Sequence, residues 1–138
     1  MKTISINSLF LLLLIINPNN PAFAASGGGS SAAASKYFSL NPPMVVNVTD
    51  KGRVRHLQIG IQFRLEDPAD SELLQEHKPA LQHEMVMLLS GREAQSIRTV
   101  KGKEELRTEA TEVVKKMLTE SIGKPVITAV YFTTFVIQ

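Results

Sequence analysis

The chain has 138 residues, room for one domain, and its 15 Lys and Arg against 13 Asp and Glu leave a formal charge of +2. So small a surplus excludes the basic footprint of a nucleic-acid surface. There is no cysteine, which excludes disulfides, zinc thiolate sites and a bacterial lipoprotein anchor, so stability has to come from packing.

Met1-Lys2 opens a weakly positive segment, and Ile4 to Ile16 is apolar apart from Ser5, Asn7 and Ser8. Asn17-Pro18-Asn19-Asn20-Pro21 ends that run, and Ala22-Phe23-Ala24 places small residues at alternate positions, the pattern a signal peptidase accepts. The reading is a cleavable signal over residues 1–24, cut after Ala24; a retained membrane anchor is the alternative. The apolar run is shorter than the roughly 20 residues needed to span a bilayer. Removing Lys2 with the signal leaves 14 basic and 13 acidic residues. Residues 25–36, rich in Gly, Ser and Ala, form a flexible leader. The folded domain occupies residues 37–138, enough for one small core.

Met44-Val-Val-Asn-Val48 predicts a first strand, and Asp50-Lys51-Gly52 a turn with Gly52 at positive φ. Leu57, Ile59, Ile61, Phe63 and Leu65 then alternate with His56, Gln58, Gly60, Gln62, Arg64 and Glu66. That period of two marks a strand with one face buried and one solvated. The two strands make an antiparallel hairpin, whose polar face meets either water or a neighbouring subunit.

Asp67-Pro68 suits a helix start, Asp as N-cap and Pro in the first turn, and predicts a short helix to about Glu76. Pro79 opens a second helix with Leu81, Met85, Leu88 and Leu89 on one face and Gly91 as its stop. Between Arg92 and Val100 the reading stays open: Ser96-Ile97-Arg98 either adds a small strand or crosses the surface. Thr99 caps a long helix whose apolar set is Leu106, Ala110, Val113, Val114, Met117 and Leu118, with Glu112 and Lys116 paired on the wet side. Gly123-Lys124-Pro125 turns the chain into Val126–Gln138, uncharged and almost wholly β-branched or aromatic. A strand so apolar predicts a central position, because an exposed edge of that kind templates aggregation. The result is an α+β domain of order β-β-α-α-α-β, an antiparallel sheet covered on one face by helices.

Nothing in the pattern carries catalysis. His56, His77 and His83 have no metal-ligand spacing, and adjacent His83 and Glu84 point about 100° apart on a helix. There is no Gly-x-Ser-x-Gly elbow, and the glycines at 27–29 precede no strand-to-helix turn. Lys101-Gly102-Lys103 at a helix start is opposed at once by Glu104 and Glu105. Phe132 and Phe135 read as core. Catalytic, cofactor-binding and metal residues are therefore expected to be none, and the chain is not expected to be an enzyme.

Four segments carry a family resemblance. They are Tyr37-Phe-Ser-Leu-Asn-Pro-Pro-Met-Val-Val-Asn47, the alternating run Leu57 to Leu65, Lys101-Gly-Lys-Glu-Glu-Leu-Arg107, and Phe132-Thr-Thr-Phe-Val-Ile-Gln138. In order and spacing they resemble the periplasmic domain of the FliL family, flagellar basal-body-associated proteins. The resemblance implies a stomatin-like periplasmic domain in a non-enzymatic motor component, without cofactor, that supports stator function and motility. Its partners would be flagellar stator or basal-body proteins and FliL-like proteins, as homo- or hetero-oligomers. Typical members keep a transmembrane helix ahead of this domain. A chain cut after Ala24 departs from them: it would sit in the periplasm beside the inner-membrane basal body and touch the membrane only indirectly. A periplasmic adaptor outside the flagellum is the alternative use of the same fold.

Overall fold

The computed structural model describes residues 35–138. The expected signal, its Ala22 and Ala24, and nearly all of the leader lie outside the described residues. Three strands form one antiparallel sheet in the order β1-β2-β3: β1 is Tyr37–Asp50, β2 is Arg53–Leu65 and β3 is Ile127–Ile137. Between β2 and β3 the chain runs through a 3-10 turn, Pro68–Asp70, and four helices: α1 Ser71–Glu76, α2 Lys78–Leu89, α3 Ala94–Arg98 and α4 Val100–Ile122.

The hairpin closes through two residues, Lys51 at φ 50° and Gly52 at φ 75°. Left-handed conformation at both central positions makes a turn whose twist matches that of the flanking strands. The alternation read in β2 holds: Leu57, Ile59, Ile61, Phe63 and Leu65 are buried, while His56, Gln58 and Arg64 are exposed. Gly60 breaks the polar series, being buried. The ladder shifts register between Gly60 and Ile61 as β3 bulges, so a Cβ on Gly60 would lie 2.5 Å from Thr133 Oγ1 and 3.2 Å from the Thr134 nitrogen. The glycine makes room for the bulged residue.

β1 starts earlier than Met44 and runs through Pro42-Pro43, where its pairing with β2 shifts between Leu40 and Met44. Proline is tolerated there because β1 is an outer strand. β3 is also an outer strand, so the predicted central position is wrong; β2 is central. Helix α4 packs along β3 and α2 along β1. Full burial within β3 is confined to Ile127 and Val130, while Phe132, Phe135 and Ile137 are only partly covered where they pack on the core. The C-terminus is nonetheless tied into the sheet: Gln138 and His56 exchange backbone bonds of 2.9 and 3.0 Å.

The helix punctuation follows the sequence. Asp67 Oδ1 accepts from the Ala69 N–H at 2.9 Å, though its cap opens the 3-10 turn and α1 begins only at Ser71. Thr99 Oγ1 accepts from the Gly102 N–H at 2.9 Å, and Gly123 ends α4 at φ 85°. Residues 94–98 form neither strand nor surface crossing but the one-turn helix α3, which buries Ala94 and Ile97. The predicted Glu112–Lys116 pair does not form; Lys116 reaches instead to Glu120, at 4.0 Å. At such exposure either pair contributes little.

Candidate interaction surfaces

The core takes Leu106, Ala110, Val114 and Leu118 from α4 and Leu81, Met85 and Leu89 from α2, all fully buried against the odd-numbered residues of β2. Among the described residues no helix covers the opposite face of the sheet. That face leaves Val45, Val54 and Val136 exposed as single apolar residues among Gln58, Arg64 and His56.

The two segments that flank this core in sequence, 101–107 and 132–138, come together in space. The first turns of α4 supply Lys103, Glu104 and Arg107, and β3 supplies Tyr131, Phe132, Thr133 and Phe135, around a groove of about 590 Å³. Lys103 Nζ lies 5.1 Å from the centre of the Phe135 ring, and Arg107 Cζ 5.9 Å from that of Tyr131. Cations over aromatic faces gain from the ring quadrupole. Arg107 also donates to Glu104 Oε2 at 2.7 and 3.0 Å from Nη2 and Nε. Leu106 between them faces the core. Gly102 is dictated by the corner between α3 and α4: a Cβ there would overlap the Ser96 carbonyl oxygen. Each residue of Gly102-Lys-Glu-Glu-Leu-Arg107 except Glu105, which pairs at the surface with Lys101, thus serves the corner, the groove or the core.

One residue with no sequence signal is Thr111, on the α4 stripe that faces β3. It is buried, and its hydroxyl accepts from the Val130 N–H at 3.1 Å while donating to the Arg107 carbonyl at 2.8 Å. A threonine one residue after Ala110 reads as a solvated position; only the approach of α4 to the rim of β3 reveals its use.

A second concavity, about 430 Å³, lies at the hairpin tip among Asp50, Lys51, Arg53, Arg55, Gln95 and Arg98. Arg98 Nη1 is 3.2 Å from Asp50 Oδ2, and Asp50 Oδ1 is buried without a hydrogen-bond partner among the described residues. The three histidines stay apart: His56 is exposed on β2, His83 exposed on α2, and His77 bonds through Nδ1 to the Leu73 carbonyl at 2.9 Å. Among the described residues no three His, Asp or Glu side chains gather as metal ligands, and no helix is long and apolar enough to cross a membrane.

Residues 37–138 match the family described as flagellar basal body-associated protein FliL. The chain is 29% identical over 101 residues to the flagellar protein FliL of Aquifex aeolicus (strain VF5), covering 73% of this chain and 60% of that protein. It is 32% identical over 93 residues to the flagellar protein FliL of Escherichia coli (strain K12), covering 67% of this chain and 59% of the relative. The matched part therefore spans about three-fifths of the length of these curated relatives.

Proposed function

The chain belongs to the FliL family across residues 37–138, and from that premise we propose that it is a non-enzymatic flagellar basal-body component. In this reading it supports stator function and motility through protein–protein contacts in the periplasm. The observation that carries it is the family match together with the placement of its segments. Lys103, Glu104 and Arg107 of the first segment and Phe132, Thr133 and Phe135 of the second line one groove at the rim of the sheet, where polar, cationic and aromatic groups suit a protein surface. The partners we propose are stator or basal-body proteins and other FliL-like chains.

Residues 1–24 are proposed to be removed after Ala24, leaving the domain on its Gly/Ser/Ala leader. Mass spectrometry of the protein recovered from the periplasm should give an N-terminus at Ala25; an intact Met1 in the membrane fraction would replace this with the anchored form. The functional reading is tested in cells by crosslinking the tagged protein and identifying what it captures, alongside swimming assays of a deletion strain. Capture of stator or basal-body proteins with impaired swimming is expected. Unaffected swimming in a strain without a second FliL-like copy, with capture of unrelated envelope proteins only, would move the domain to an adaptor role outside the flagellum.

A further inference from the structure

We propose that the outer rim of β3 from Thr134 to Gln138 is a strand-addition site, which takes an extended acidic segment of another protein. The inference deepens the scaffold reading and rests on it for its biological setting.

Register fixes which backbone groups are available. His56 and Gln138 exchange both of their bonds, and in an antiparallel ladder such pairs alternate with pairs that turn their N–H and C=O outward. Val136 and Thr134, opposite Gln58 and Gly60, therefore face β2. Phe135 and Ile137 present their backbone groups to the outside. Among the described residues no hydrogen bond outside the ladder reaches the backbone of either one. The same rim is closed one turn of the groove earlier, where Thr111 caps the Val130 N–H.

The opposite rim of the sheet shows what protection looks like. On β1 the outward Thr49 N–H donates to the Arg92 carbonyl, the Asn47 carbonyl accepts from the Gly91 N–H, both at 2.8 Å, and Pro42-Pro43 fills the middle. From Thr134 to Gln138 the rim has no charged side chain, no proline and no covering segment among the described residues. Unprotected rims of this composition pair with extended chains.

Charge selects the occupant. Lys103 stands over Phe135 and has no carboxylate partner among the described residues, whereas Arg107 in the same groove is already paired with Glu104, so the unpaired charge beside the rim is that of Lys103. Two copies paired through β3 about a two-fold axis would bring like charges from both α4 helices to one seam, which opposes a second copy. An added strand with acidic side chains on its helix-facing side meets Lys103 beside Phe135, while apolar side chains on its other side extend the exposed Val136.

The test uses the full chain, isotope-labelled and titrated with an end-capped octapeptide alternating valine and glutamate. Its valine–lysine counterpart serves as the control. Saturable shifts centred on the Phe135 and Ile137 amides are expected, with the lysine peptide weaker by about tenfold or more. Lys103→Glu should reverse that preference. Ile137→Pro removes an outward donor and no ladder donor, and should abolish binding with the spectrum otherwise retained. Equal binding of both peptides, shifts centred elsewhere, or no binding would overturn the proposal. So would a dimer that Ile137→Pro dissolves, which would give the rim to a second copy. Peptide binding with unaffected swimming on deletion would keep the rim and discard the motor reading; the reverse would do the opposite.

Discussion

The two rims of this sheet are made from similar strands and finished differently. β1 is edged by two prolines, a register shift and two backbone bonds to residues 91 and 92. β3 is secured by the Thr111 hydroxyl at Val130 and then runs on with no covering segment among the described residues. Strand rims that are left bare carry a risk of misassociation, so the difference teaches where a partner belongs. The sealed rim serves the fold, and the bare one is available for contact.

The comparison can be broken first at the strand both rims share. Phe63 is fully buried and its ring stacks with Phe38 of β1 at 6.4 Å, while its backbone neighbour across the ladder is Val130 of β3. Phe63→Ala should lower stability by about 3–5 kcal/mol, read from urea unfolding, and loosen both rims together. Neighbouring prolines then separate inward from outward donors. Val136→Pro deletes a ladder bond to β2 and Ile137→Pro does not, so the first should cost about 2 kcal/mol more in the same assay. Equal costs would refute the register.

Thr111→Val keeps the shape but strands the Val130 N–H beside α4. A loss of about 1–2 kcal/mol is expected, with faster amide exchange at Val130 than at Ile127. The smallest effect belongs to the sealed rim. Gly91 sits at φ 75° with open space where a Cβ would go, so Gly91→Ala should cost about 1 kcal/mol through backbone conformation alone. The exchange of Thr49 should rise if the loop lifts.

Much of this was legible in the residues. Five alternating apolar positions in β2, Thr99 and Gly123 at the ends of α4, and the Lys51-Gly52 turn each combine a local preference with the burial that rewards it, so pattern and structure agree. The failures have a common cause. The apolar run 126–138 suggested a central strand, because composition reports burial without saying how much of it partners outside the domain supply. The prolines at 42 and 43 hid the first half of β1, since a rim strand tolerates what an inner strand does not. α3 has five residues, too few for periodicity to show. Thr111 and Gly60 owe their roles to contacts with β3, far along the chain, which no local pattern encodes. The groove was half visible: its two segments stood out, but not their meeting.

The most direct test of the difference between the rims is backbone amide hydrogen exchange of the full chain, read residue by residue. Slow exchange is expected at Thr49 on β1 and at Val130, Val136 and Gln138 on β3, whose donors are bonded, with fast exchange at Phe135 and Ile137 between them. Protection of Phe135 and Ile137 equal to that of Val136 would mean that the β3 rim is already covered, and would contradict the account.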